Sequence, residues 1–355
     1  MIKEIRISSN PKIGNEFIIG VRADFNNKVG FGHINRIINF LTLLNVRSKI
    51  FIFSNYNINN YKILDNIKKY KIFYVPSNNS NHIDFKYCEH KIKLNSLYFD
   101  YFIIDNYQIN ILWQKKIKKY SNNLIIFNDF IKKNYFCDIF INNNYGAEKY
   151  KMNIKNTREL LGNDYFIFPK KYNLKQKNDS LKFKINTFNN KNKINILIHF
   201  GSFNNFKIYK LILSCLESFE SSFQITMLIS DSKLTNKLNM LKFKFINLKF
   251  INYTNNIEKL YLKSHIAIGA GGVSMMERLF YNIPNFIFQV SNNQKIAINN
   301  LKKKKYIYFI GKSKLNLNIL KKILNNYLYK RNFYINDVKN LSKIYKKTNL
   351  KTIKI

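Results

Sequence analysis

The chain has 355 residues, 46% of them hydrophobic and 16% aromatic, which is enough apolar material for two packed domains and excludes a disordered chain. Its formal net charge of +40 raises nucleic acid or an anionic membrane as partners. Yet 53 of its 60 basic residues are lysine, scattered in short clusters such as 302–305 and accompanied by abundant Asn, Ile, Phe and Tyr, so an A/T-rich coding bias accounts for the charge and no nucleic-acid partner is expected.

In chain order, 17–23 (FIIGVRA) is expected to be a strand, followed by the loop GFGH and an apolar-periodic helix from about Ile34 to Leu44. Residues 49–53 form the next strand. Residues 99–105 (FDYFIID) and 123–129 (NLIIFND) are apolar runs ending in Asp105 and Asp129, the pattern of buried parallel strands with a polar residue at the carboxyl end. Residues 137–143 are a further short strand. The polar stretch 173–193 reads as a linker, dividing an N-terminal domain (1–172) from a C-terminal one (194–355). The second series has strands at 194–200, 223–229 and 243–251. After these, 264–272 runs into the loop GAGG, a helix covers 273–281, and 285–290 is the last strand. The tail, about 315–355, is helical and lysine-rich. Strands alternating with helices predict an α/β fold with two Rossmann-like domains facing across a cleft.

The N-terminus MIKEIRISSN has no signal-like apolar segment, and no apolar run is long enough to span a bilayer. A cytoplasmic location without membrane insertion is therefore expected. Cys88, Cys137 and Cys215 are odd in number and widely spaced, so neither a disulfide framework nor a metal site is expected. His82, His90 and His199 also lack metal-ligand spacing.

Only 11 glycines occur, and five of them crowd into GFGH (Gly30, Gly32) and GAGG (Gly269, Gly271, Gly272), with Gly201 following another strand. Both halves thus show a strand, a glycine loop and a helix N-terminus, a device that offers free N–H groups to phosphate. His33 stands where the first loop enters its helix, flanked by Arg22, Asp24 and Arg36, and is the candidate base. The G-x-G-x-x-G dinucleotide fingerprint is not met, so no nicotinamide cofactor is inferred. In the second half, Gly271, Gly272, Val273, Ser274 and Glu277 form the candidate nucleotide loop, with Glu277 placed to accept hydrogen bonds from ribose hydroxyls. Asp105 and Tyr107 at a strand end, Gly201 with Ser202, and Asn293 with Gln294 are supporting candidates.

The motifs R-A-D-x(5)-G-x-G-H-x-x-R (22–36), I-I-D-x-Y (103–107), L-L-G-x-x-Y (160–165), I-L-x-x-F-G (196–201) and G-A-G-G-x-S-x-x-E-R (269–278) resemble, in order and spacing, the UDP-2,4-diacetamido-2,4,6-trideoxy-β-L-altropyranose hydrolases of pseudaminic acid biosynthesis. That family is similar to the N-acetylglucosaminyltransferase that makes lipid II. The resemblance implies the glycosyltransferase-B fold and inverting cleavage of the anomeric C–O bond without metal or other cofactor. It further implies that His33 accepts the proton of the attacking water, that the GAGG loop and Glu277 hold UDP, and that Tyr107 and Arg22 line the sugar site. A monomer using a UDP-sugar is expected. Departures from the family pattern fall at Asn106, Pro169, Asn204, Lys207 and Met276. Two alternatives are a glycosyltransferase of the same fold and a non-enzymatic basic binding protein.

Overall fold

The computed structural model of the chain describes residues 16–345 except 27–28, 45, 57–69, 77–79, 132–133, 189–193, 220–222, 242 and 244–246. The described residues form two compact units that divide between Lys170 and Lys171.

In the first unit, strands β1 (Phe17–Ala23), β2 (Ser48–Ser54), β3 (Lys71–Tyr74), β4 (Phe99–Asp105), β5 (Ser121–Phe127), β6 (Ile139–Asn142) and β7 (Arg158–Leu161) form one sheet. Its order is β3-β2-β1-β4-β5-β6-β7, parallel at every pairing. The helices are α1 (Gly32–Leu44), α2 (Asn81–Leu94) and α3 (Ile111–Ile117). The central strands β1 and β4 are largely apolar because both faces are covered. Ile19, Val21, Ile103 and Ile125 pack against Ile34, Ile37 and Phe40 of α1 on one face. Phe53, Phe102 and Ile104 pack against Phe85 and Cys88 of α2 and Trp113 of α3 on the other.

The second unit repeats the plan with β8 (Ile194–His199), β9 (Phe223–Leu228), β10 (Asn247–Ile251), β11 (Ile266–Ala270), β12 (Asn285–Phe288) and β13 (Tyr308–Gly311) in the order β10-β9-β8-β11-β12-β13, again all parallel. Its helices are α4 (Leu174–Thr187), α5 (Phe206–Glu217), α6 (Ser232–Asn239), α7 (Ile257–Lys263), α8 (Val273–Phe280), α9 (Lys295–Lys303), α10 (Leu317–Tyr329) and α11 (Arg331–Ser342). In each sheet the strand order reverses once, between β1 and β4 and between β8 and β11. Those two switch points are where open parallel sheets receive ligands, beyond the strand carboxyl ends.

The stretch 173–193 is not a plain linker: it carries α4, a helix of the second unit. Its polarity is misleading because the face it buries is itself polar, made by Lys177, Ser180 and Lys184. Ser180 Oγ donates to the Tyr281 carbonyl (2.6 Å), Lys184 Nζ to Ser180 Oγ (2.5 Å) and the Tyr261 carbonyl (3.2 Å), and Lys177 Nζ to the Ser342 carbonyl (2.9 Å). The strand expected over 243–251 is shorter, Asn247–Ile251, and 242 and 244–246 lie outside the described residues. The helical tail is two helices, α10 and α11, and its last ten residues also lie outside the described set.

Candidate active site

At the first switch point, α1 begins at Gly32, two residues earlier than the periodicity suggests, so His33 lies in its first turn. A Cβ at Gly32 would meet nothing within 4 Å, so the entry to this helix is open. Asp105 ends β4, the strand beside β1, and is fully buried. His33 Nδ1 lies 2.6 Å from Asp105 Oδ1. Arg36, one turn along α1, clamps the same carboxylate with Nε on Oδ2 (2.8 Å) and Nη2 on Oδ1 (2.7 Å), and reaches Asp129 Oδ1 through Nη1 (2.8 Å). Tyr107 donates its hydroxyl to Asp129 and meets the His33 ring edge-on at 4.6 Å between centroids.

These contacts fix protonation states. Burial alone would raise the Asp105 carboxyl, but Arg36 and then His33 pull it down to about 2. An ionised Asp105 only accepts, so His33 Nδ1 carries the hydrogen and Nε2 is the basic nitrogen. Among the described residues, no side chain hydrogen-bonds Nε2. Burial would lower the His33 pKa, yet the Asp105 carboxylate outweighs it and holds the imidazole above its ordinary 6.5. Burial, then the facing Asp129 carboxylate, keeps the Tyr107 phenol well above its usual range, so it remains a donor.

Arg22 and Asp24 stand beside this group in a second network. Arg22 is buried, its guanidinium shared between Asp84 (2.6 Å) and Asp24, so the sequence expectation of a sugar-lining arginine meets a side chain already committed to internal ion pairs. Trp113 Nε1 also donates to Asp84 (2.9 Å). Asp24 in turn accepts from Asn106 Nδ2 (2.8 Å) and the Asn55 amide (2.7 Å), so Asn106 ties the end of β1 to the loop after β4.

At the second switch point, α8 starts directly after Gly272, placing the GAGG loop at a helix N-terminus. The two loop glycines differ. A Cβ on Gly271 would sit 2.5 Å from the Ile298 side chain of α9, so that glycine is required for helix packing. At Gly272 the nearest atom would be Gln294 Nε2 at 3.6 Å, which leaves room. Gln294 Oε1 braces the loop by accepting from the Gly271 amide (3.3 Å) and the Val290 amide (3.1 Å). Asn293 accepts from Ser291 in the same turn, and Gly201 (φ 68°) opens the turn after β8. Val273 and Ser274, half-buried, form the first turn of α8. Glu277 accepts from the Tyr261 hydroxyl (3.0 Å), and burial pushes its carboxyl up to about 7.

Three participants were not among the candidate site residues of the sequence reading, although Arg278 closes the G-A-G-G-x-S-x-x-E-R motif. Asp129 had a signal, a carboxylate ending a strand as Asp105 does. Tyr261 had none. Arg278, fully buried, binds only neutral acceptors: Asn285 Oδ1 (2.6 Å), the Ala270 carbonyl (2.8 Å), the His199 carbonyl (3.3 Å) and Ser274 Oγ (3.4 Å). It thereby ties the carboxyl ends of β8 and β11 to α8 and β12. Among the described residues no cluster of three His, Cys, Asp or Glu could hold a metal ion, all three cysteines are free and buried, and no helix is long and apolar enough to cross a membrane.

No protein-family model and no curated protein sequence matches the chain. Solved structures do. It is similar to MurG of Acinetobacter baumannii (TM-score 0.65, 10% identity, covering 93% of this chain and 95% of that one). It is similar to UGT89C1 of Arabidopsis thaliana complexed with UDP-L-rhamnose (TM-score 0.62, 10% identity, 96% and 97% covered). It is also similar to the UDP-GlcNAc 2-epimerase of Neisseria meningitidis bound to UDP-GlcNAc (TM-score 0.55, 14% identity, 94% and 99% covered). The fold is therefore two Rossmann-like domains of the glycosyltransferase-B kind.

Proposed function

We propose that the chain is a nucleotide-sugar enzyme that cleaves the anomeric C–O bond of a UDP-linked diacetamido-trideoxy sugar and gives the sugar to water. The observation that carries this reading is the His33–Asp105 pair at the β1/β4 switch point, in which the carboxylate anchors Nδ1 and so makes Nε2 the basic nitrogen. In the proposed reaction a water oxygen forms a bond to the anomeric carbon while the bond to the diphosphate oxygen breaks, its electron pair leaving with UDP. His33 Nε2 takes the water proton, and the imidazolium is stabilised by Asp105 at 2.6 Å. Tyr107, held by Asp129, faces the sugar. The open Gly272 amide and the N-terminus of α8 take the diphosphate, and Glu277 takes the ribose hydroxyls. The UDP sugars bound by UGT89C1 and by the 2-epimerase support the nucleotide assignment.

A second reading, transfer to a hydroxyl acceptor, uses the same base and is favoured by the transferases among the neighbours. Incubation with candidate UDP-sugars and NMR detection of the product separates the two, since hydrolysis releases free sugar without any acceptor. His33→Asn should lower turnover by about two to four orders of magnitude with UDP affinity little changed. Asn is itself a good helix cap, so a folded variant that keeps near wild-type turnover would mean that His33 only caps α1.

A further inference from the structure

Helix α7 buries two polar side chains, Glu258 and Tyr261, which are three residues apart and so share one face. The Tyr261 hydroxyl donates to Glu277 Oε2 on α8 (3.0 Å). Glu258 is held by Lys171 Nζ (2.7 Å), which also donates to the Asn255 carbonyl just ahead of α7 (2.8 Å). The helix is pinned at its other end, where Lys184 Nζ of α4 donates to the Tyr261 carbonyl (3.2 Å) and Asn195 Nδ2 to the Lys263 carbonyl (2.8 Å). All these residues belong to the second unit.

The state of Glu277 depends on what faces it. Tyr261 and Glu258 come from α7, Arg278 is its neighbour on α8, and Lys171 comes from the segment before α4. Tyr172 and Tyr281 also lie within reach of its charge. Burial opposes ionisation most strongly and holds the carboxyl at about 7. Against it the Tyr261 hydroxyl acts first, then Arg278 and Lys171, while Glu258 is a like charge. Burial, and then Glu277 itself, keeps the Tyr261 phenol well above its ordinary range, so it stays protonated and donates. A donated hydrogen bond favours the carboxylate over the acid, and a buried donor fixes where the carboxylate points. Arg278 does not take over this role, because its N–H groups go to Asn285, Ala270, His199 and Ser274.

We propose that α7 keeps Glu277 ionised and aimed at the nucleotide: Tyr261 is the positioning residue, and Lys171 offsets the Glu258 charge that opposes it. The use of this arrangement rests on the proposed ribose contact, since ribose hydroxyls donate to a carboxylate, whereas protonation turns one of its oxygens into a donor. Its test does not need that contact, because Glu277 can be followed in the free protein.

The experiment is a carbon-13 NMR titration of the Glu277 side-chain carboxyl in the nucleotide-free full chain, assigned with Glu277→Gln. Tyr261→Phe should move the midpoint up by about one pH unit. Lys171→Met should also move it up and Glu258→Gln down, each by less. Tyr281→Phe removes a hydroxyl that donates to Gln176 (3.1 Å) in the same aromatic cluster and should leave the midpoint in place. UDP affinity should follow the titration. With the midpoint about one unit higher, Tyr261→Phe should bind UDP about fivefold more weakly at pH 7 and as wild type by about pH 9, with turnover at saturating substrate unchanged. Structural damage alone is not repaired by raising the pH. Lys171→Met, at a half-exposed side chain, and Glu258→Gln decide the matter if Tyr261→Phe does not fold. The proposal is overturned if Tyr261→Phe titrates as wild type, if Tyr281→Phe shifts the midpoint as far, or if Glu258→Gln moves it up. A midpoint that moves as expected while UDP affinity stays put supports the hold of α7 on Glu277 and overturns the ribose contact instead.

Discussion

Asp105→Asn isolates what the carboxylate does for His33. In the wild type Asp105 accepts from three donors, His33 Nδ1, Arg36 Nε and Arg36 Nη2. A carboxamide is isosteric but accepts through one atom only. If its oxygen stays with Arg36, its NH₂ group points at His33 Nδ1 and forces the hydrogen onto Nε2, the nitrogen that must be basic. Turnover should fall by about two to four orders of magnitude. The pH dependence should move as well. With Asp105 present the imidazole is held above 6.5, so wild-type activity is lost as pH falls through a value above 6.5, where His33 protonates. Without the carboxylate, burial and Arg36 both lower the His33 pKa, so the residual activity should persist to lower pH. Stability reports a third quantity. Depression of the Asp105 pKa from 3.8 to about 2 corresponds to about 2 kcal/mol, fully present above pH 4 and lost as pH falls through 2. The substitution removes that contribution at neutral pH, while Asp129 still pairs with Arg36 and limits the damage. Product release measured by NMR across pH, with denaturant unfolding alongside, reads all three. Wild-type turnover with an unmoved acid limb would refute the dyad, whatever the stability did.

Glu277 sits near pH 7 because of burial, so if its carboxylate accepts the ribose hydroxyls, UDP affinity measured by calorimetry should weaken as pH drops below 7, and Glu277→Gln should remove both affinity and pH dependence. Lys184, fully buried with its pKa lowered to about 7 from 10.5, holds a proton in the unfolded chain but not in the folded one between those values. Stability should therefore rise with pH across that window, by up to about 1.4 kcal/mol per pH unit, and Lys184→Met should flatten the rise in urea titrations. Arg278→Met strands the carbonyls of His199 and Ala270 and should destabilise the second unit by roughly 2–4 kcal/mol; lysine should not rescue it, since one ammonium cannot span the four acceptors, and full rescue would contradict the bracing role.

The sequence exposes what is apolar and continuous. β1, β4, β8 and β11 are legible because strands buried on both faces cannot carry polar alternation. β3 and β7 are not, since KIFY and RELL are too short and too polar to stand out. The lysine face of α4 hides that helix from any reading that equates polar with outside. At the site, the glycine loop reveals His33 and the strand end reveals Asp105. Their pairing is another matter, because it depends on β4 lying next to β1 across 72 residues of chain, and only the order of the sheet brings them together. The commitment of Arg22 to Asp84 is invisible for the same reason: Asp84 looks like an ordinary helix residue until α2 is laid on the sheet.

The two switch points solve opposite electrostatic problems. Around β1 and β4, cations and carboxylates are buried together, so each ion keeps its charge: Asp105 stays ionised, and Arg22 is held charged by Asp24 and Asp84 even though burial opposes it. Such a cluster is rigid and aims a base without needing a ligand. Around β8 and β11 the buried ions lack hydrogen-bonded partners of opposite charge. Burial lowers Arg278 to about 10 and raises Glu277 to about 7, and burial with Arg278 beside it holds His199 at about 3. Ions in that condition gain from a ligand that supplies what they lack, hydroxyl donors for Glu277 and negative charge near the α8 N-terminus and Arg278. A nucleoside diphosphate carries both in one molecule, with ribose hydroxyls at one end and phosphate oxygens at the other. In the proposed reaction the first site would act and the second would be completed by what it binds, a division of labour that these two electrostatic environments support.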